Sequence, residues 1–342
     1  SRIREFPLND KENCIYSKDV IDFAIKKGYY DPKSGKRFSF VDAYNPLDPG
    51  GALYCEGRVW SLFSRAAPSL NLSDDYWRAV KDAEPYPLYI KPDKKLSVQD
   101  VIGLMRDHFE GTEYDMTKGL AAEPFGNPYR WKPLAFKIDG DTMTYGWERP
   151  ITSQQSAFTF VTQARSHLPN HIGGIIWYGV DDNYSNVYIP LYCGIKDIPP
   201  SFTGGSIKEF DFNKAFWVFN LVANLAYTKY SYIIKDIQPV QKELEDKFHS
   251  YQSAIEQAAL ELNKKDPELA RDYLTEYSIN QSEMTVTRWQ ELWKYLVVKY
   301  NDGYINDVNF QNGRHPKGVG YGNDFFKRVV KERPDYYDVK WR

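Results

Sequence analysis

Five histidines and three cysteines are the whole stock of imidazole and thiol in this chain. His167 and His171 have the i, i+4 spacing of a zinc pair, but Pro169 between them breaks the helix that would put both rings on one face. No HExxH glutamate accompanies them, so no metal is expected. Asp181, Asp182, Asn183 and Asn186 offer oxygen ligands without the glycine and closing glutamate of an EF-hand loop, and a hairpin tip accounts for them. Gly318, Gly320 and Gly322 form GxGxG with neither a preceding strand nor a following Lys-Ser/Thr, which reads as a flexible loop rather than a phosphate cradle. No Ser-His-Asp order can be read. Cys14, Cys55 and Cys193 are too few and too scattered for a disulfide framework or a cysteine zinc site. Buried free thiols are the plain expectation, with one disulfide and a spare thiol as the alternative.

The elements that must position any chemistry follow from periodicity. Ser17 can cap a short helix over Tyr16 to Lys27 that Gly28 closes, and Ala52 to Arg65 reads as a second helix with Val59, Leu62 and Phe63 on one side. Leu96 to Phe109 is a third, capped by Ser97. From Lys132 the period becomes two: Leu134 to Ile138 and Thr142 to Trp147 flank Asp139-Gly140, a hairpin dipeptide. Ser156 to Ala164, Gly173 to Val180 and Asn186 to Cys193 continue as an antiparallel meander. Helices follow: Asn213 to Tyr230, apolar almost all round with Asn220, Asn224 and Thr228 on one stripe; a helix starting at Pro239; another at Asp266-Pro267; and a third amphipathic one over Trp289 to Tyr300. From Asn306 the chain reads as a polar surface tail. Ser1 to Leu8 alternates like a strand.

A length of 342 residues allows a sizeable core, and a net charge of −2 with 26% charged residues gives no field for nucleic acid or an anionic membrane. The 16% aromatic content suits a thick core and a cleft that holds small organic groups. No apolar run is long enough to span a bilayer. The sequence opens without Met, which suggests a start inside a longer gene product.

The least generic stretch is Gly111 to Trp131, GTEYDMTKGLAAEPFGNPYRW, rich in Gly and Pro and without a usable period; it reads as an ordered irregular loop of the kind that lines sites. GTEYDMTKG and PFGNPYRW resemble the signature of the cysteine dipeptidases of peptidase family sixty-nine, relatives of the secernins among the N-terminal-nucleophile hydrolases. The resemblance runs on in order through FVTQARSHLP, GGIIWYGVDDNYSNVYIPLYCGI, FDFNKAFWVFNLVANLAYTKYS and DIQPVQKELEDKF, over roughly residues 1 to 250.

The resemblance implies an α+β fold, the later portion of an αββα layered sandwich of N-terminal-nucleophile type with a helical extension from about Asn213. The implied division is 1–205 for the catalytic domain, 206–303 for packed helices and 304–342 for a tail. The implied reaction is hydrolysis of dipeptides by a cysteine-type exopeptidase through a thioester, with the nucleophilic Cys upstream of this chain and its own α-amino group as base. No cofactor is called for. Arg58, in GRVW, resembles an Arg that reaches the nucleophile in related enzymes. A dipeptide is a small zwitterion, so its site wants a carboxylate for the ammonium, here Asp115, and an Arg for the carboxylate, here Arg130 or Arg149. Ser153 and Ser156, at the opening of a strand, are expected to face the cleft. The implied partners are the dipeptide, the upstream half of the same gene product and a possible second copy, with an extracytoplasmic location favoured by the resemblance alone. The chain by itself is expected to be inactive. Rivals are a non-peptide amidase akin to bile-salt or penicillin acylases and a catalytically silent binding or scaffold domain.

Overall fold

The computed structural model describes residues 2–4, 10, 12–308 and 317–338. The chain divides into two compact units, Ser1–Leu96 with Lys132–Pro150 and Ser97–Trp131 with Ile151–Arg342. Strands and helices are segregated along the chain, as an α+β order requires.

In the first unit, helix α1 spans Val20–Lys26 and Gly28 follows it in the left-handed region. It begins later than expected, because Ser17 Oγ donates to the Asp19 carboxylate and caps no backbone N–H. The expected helix over Ala52 to Arg65 is present in two parts: a π-helical turn, Ala52–Glu56, runs into helix α2, Gly57–Ala66. Trp77, fully buried, packs against Gly57, where a Cβ would meet the indole at 3.1 Å. The hairpin keeps only β1, Ala135–Phe136, and β2, Tyr145–Gly146, paired antiparallel. Its loop is residues 137–144 rather than a two-residue turn, although Gly140 does adopt positive φ. Neither strand buries a face, so alternation alone does not extend the ladder. Most of the strand expected over Ser1 to Leu8 lies outside the described residues. Residues 2–4 form no strand, and the carbonyls of Ile3 and Arg4 accept from Val41 and Phe40.

In the second unit, helix α3, Val98–Met105, opens with the expected cap: Ser97 Oγ accepts from Asp100 N at 3.1 Å while the Asp100 carboxylate accepts from Ser97 N at 2.9 Å. It stops four residues short of Phe109. There Asp107 accepts from Phe109 N at 3.0 Å and Phe109, at φ 62°, turns its buried ring inward. The meander consists of β3, Phe158–Ala164, β4, Gly174–Val180, and β5, Ile189–Tyr192, in that order across the sheet. Its register pairs Phe158 with Val180 and Ala164 with Gly174, then Ile175 with Tyr192 and Tyr178 with Ile189. Helices α4, Ala215–Thr228, α5, Tyr230–Lys265, and α6, Pro267–Tyr300, supply most of the core around Trp177, Val218, Ile233 and Trp289, whose ring stacks on Phe219 at 5.0 Å.

Three helix expectations are corrected. Helix α4 does have a wet edge, formed by Asn224 and Thr228, which the expected inward stripe hid. Pro239 lies inside α5, which starts at Tyr230; the packed apolar face outweighs the hydrogen bond that proline removes. The helices expected at Asp266-Pro267 and at Trp289 are one, since no Gly or Pro interrupts the 34 residues of α6 after its first. The polar surface tail expected from Asn306 carries short elements: β7, Lys317–Gly318, pairs with β6, Tyr304–Ile305, and helix α7 covers Asn323–Glu332.

Candidate functional site

Residues 111–131 form an irregular segment held by its own polar groups. Asp115 accepts from the Thr117 backbone N at 2.9 Å, from Thr117 Oγ1 at 2.6 Å and from Gly111 N at 3.4 Å. Burial pushes its carboxyl upward, but the Thr117 and Gly111 hydrogen bonds and the Lys118 charge outweigh burial and hold it below the usual range. Arg130 is buried and clamps the segment from inside, donating to the carbonyls of Ala121 at 2.9 Å, Asn127 at 3.3 Å and Met116 at 3.2 Å. Phe125 O accepts from Ser231 N at 2.9 Å, which ties the segment to the first turn of α5.

Under it lies a polar node made by the turn after β4. Asp182 accepts from Tyr129 Oη at 2.5 Å, Tyr227 Oη at 2.9 Å and Thr152 Oγ1 at 3.2 Å, and from Tyr184 N at 3.0 Å. Burial, with the Asp182 charge next, raises the Tyr129 and Tyr227 hydroxyls far above the usual phenol range, so both are fixed donors. Asp181, at φ 66°, accepts from Asn220 Nδ2 at 3.1 Å on α4, while its Oδ2 is buried without a hydrogen bond. Burial first, and the Asp182 charge second, push its carboxyl up to about 7. This turn is the hairpin connection between β4 and β5 that the sequence suggested, and it is buried: Asp181, Asp182, Asn183 and Asn186 are each at most 2% exposed. Arg106 fixes it from the other side, forking onto Glu245 of α5 at 2.9 and 2.5 Å and donating to the carbonyls of Asn183 and Asn186, both at 3.1 Å.

His108 completes the node. Its ring is fully buried, meets Tyr184 at 4.5 Å and Tyr129 at 5.1 Å between centres, and shares a 3.0 Å hydrogen bond from Nδ1 with Glu110. Burial raises the Glu110 carboxyl, and the His108 hydrogen bond and charge bring it below its ordinary value.

The remaining sequence candidates fall in both units. Ser153, half-buried, accepts from Gln155 N at 3.2 Å, and its own N donates to Asn183 Oδ1 at 3.3 Å; Ser156 N donates to Ser153 O at 3.1 Å. Both serines thus sit on the turn that leads from the node into β3. In the first unit, Arg58 stands half-buried on α2 and Arg149 half-buried after β2; among the described residues neither makes a hydrogen bond or an ion pair. Cys14, Cys55 and Cys193 are free, but Cys55 and Cys193 are exposed rather than buried, and among the described residues no histidine or carboxylate hydrogen-bonds to any of the three. Among the described residues there is no group of three metal-ligating side chains, and no helix is long and apolar enough to cross a membrane. His171 Nε2 instead bonds Asn263 at 2.8 Å.

Sequence reasoning missed His108, Tyr129, Tyr227 and the depth of Asp181 and Asp182. The usable signal was a doubled acid directly after an apolar strand, which a solvent-exposed turn does not explain better than a buried one.

Residues 1–243 match the model of peptidase family C69, and the chain belongs to that family. It is 28% identical to a probable dipeptidase of Salmonella dublin over 206 residues, covering 60% of this chain and 41% of that protein. It is 24% identical to probable dipeptidase B of Streptococcus pyogenes serotype M1 over 291 residues, 85% of this chain and 54% of that protein, and 22% identical to probable dipeptidase A of serotype M3 over 288 residues, 84% and 56%. The chain thus spans about half the length of the curated relatives it matches.

Proposed function

We propose that the protein containing this chain is a cysteine dipeptidase of the N-terminal-nucleophile type, with the nucleophilic Cys outside these 342 residues and the β3–β5 meander as part of the layered sandwich. The observation that carries this reading is the family match over residues 1–243, which includes the whole of segment 111–131. The thiolate adds to the peptide carbonyl carbon, the C–N bond breaks as the leaving amine takes a proton from the Cys α-ammonium, and water cleaves the thioester. An α-amino group with a reference pKa near roughly 8 is a competent base close to neutral pH.

In this reading Arg58 faces the nucleophile or the oxyanion, supplying a preorganised charge. Asp115 stays ionised and receives the substrate ammonium beside the hydrogen bonds it already accepts. The buried Asp182 with Tyr129 and Tyr227 positions the wall. The test uses the complete protein on free dipeptides and their N-acylated forms. Hydrolysis of the free dipeptides, lost on alkylation with iodoacetamide or on changing the terminal Cys to Ala, supports the assignment. Turnover that survives loss of that Cys but disappears with Cys14, Cys55 or Cys193 overturns it. Asp115→Asn is expected to raise KM for free dipeptides well above the change seen for N-acylated ones; an equal change in both makes Asp115 a loop anchor only.

A further inference from the structure

Lys229, the residue between α4 and α5, meets no negative group among the described residues. It is 8% exposed, donates from Nζ to the Gly303 carbonyl and lies 5.2 Å from the centre of the Phe125 ring. Among the described residues no carboxylate pairs with it. In the last turn of α6, Lys299 shows the ordinary solution, pairing with Asp236 at 2.8 Å. An ammonium taken out of water needs a counter-charge, and one carbonyl with one ring face supplies only partial compensation.

What surrounds Lys229 is a pocket of about 460 Å³, walled by Phe125, Tyr300, Tyr321 and Phe326 with the turns at Gly303 and Gly320. The Phe125 and Tyr321 rings touch each other, 5.6 Å apart at 60°, and together make one aromatic wall of the pocket. That volume lies in the range of small-molecule sites, and an apolar lining with one convergent charge is their usual chemistry.

We propose that this pocket binds a small aromatic carboxylate. The carboxylate accepts a charge-assisted hydrogen bond from Lys229 Nζ, and the aromatic body lies in the pocket against Tyr321, Phe326 and Tyr300. A neutral aromatic would leave the ammonium unanswered, and a bare anion would leave the rings wet. Phe125 belongs to the family-matched stretch, whereas Tyr300, Tyr321 and Phe326 lie beyond residue 243, so the site joins the two. It stands independently of the proposed peptidase reaction.

The test is calorimetric titration of the complete protein with phenylacetate, beside benzyl alcohol, which lacks the carboxylate, and acetate, which lacks the ring. Saturable binding of phenylacetate is expected, at least tenfold tighter than either control. Lys229→Gln and Tyr321→Ala should each weaken it at least tenfold; Tyr321 is 52% exposed, so its truncation leaves the fold in place even if the lysine variant does not fold. Absence of saturable binding, or unchanged affinity in Tyr321→Ala, overturns the site.

Discussion

Arg130 and Arg58 share a residue type and differ in everything around it. In the 111–131 segment the guanidinium of Arg130 is buried and hydrogen-bonds three carbonyls of one loop. On α2 the guanidinium of Arg58 is half-buried and meets no acceptor among the described residues. A buried cation surrounded by the carbonyls of its own loop holds a shape. A half-buried cation that meets no acceptor contributes little to the shape around it.

The sharpest way to break that contrast is to remove each charge in the complete protein. Arg130→Ala should cost roughly 3 kcal/mol in urea denaturation, because it strips charged hydrogen bonds from three carbonyls in a loop with no regular ladder. Arg130→Lys should recover little, since one ammonium lacks the fork. A loss below about 1 kcal/mol would mean that the segment holds itself. Arg58→Ala should reverse the pattern: a loss of about a hundredfold in kcat with an unchanged unfolding midpoint. Near-normal turnover would place Arg58 outside the chemistry.

A third experiment reads the acid node by pH. Asp181 is neutral more readily in the folded protein, at about 7, than in the unfolded chain, near 3.8. Its stabilising contribution is therefore complete below about pH 4 and is lost as pH rises through about 7. For one proton the slope reaches at most about 1.4 kcal/mol per pH unit. Asp181→Asn, an amide that tolerates positive φ, should flatten the fall in stability between about pH 4 and 7. Parallel curves for the two proteins would show that Asp181 ionises freely. Smaller again, Ser97→Ala should lower stability by about 1 kcal/mol through the lost cap of α3. The smallest effect is expected at Arg149→Ala, within about 0.5 kcal/mol in the same denaturation measurement.

The sequence made legible whatever depends on local signals. The Ser97 cap, the three-strand meander and the Asp266-Pro267 start each rest on a few neighbouring residues, and each stands where periodicity put it. The two long helices were cut in the wrong places for separate reasons: Pro239 has the look of a start, and the apolar pattern of α6 shifts around its axis over 34 residues. Asp115 and Arg130 were singled out through the family signature, and the structure shows their hydrogen bonds within the loop that carries it. The node of Asp182, Tyr129 and Tyr227 was not reached, because its members lie 53 and 45 residues apart along the chain and only packing unites them.

Pro239 has one more consequence, which amide exchange would see. Without its N–H, the Lys235 carbonyl loses its usual donor four residues on, and the helix is divided into a short first stretch and a long second one. The first stretch contains Ser231, whose N–H holds Phe125, and is tied to the end of α6 by the Asp236–Lys299 pair, whereas the second packs along the length of α6. Fraying that begins at Tyr230 would release Phe125 first, while Tyr129 Oη still holds the other end of the segment to Asp182. The amides of that first stretch should therefore exchange sooner than those beyond Val240, giving the segment an opening free energy lower than that of the protein as a whole.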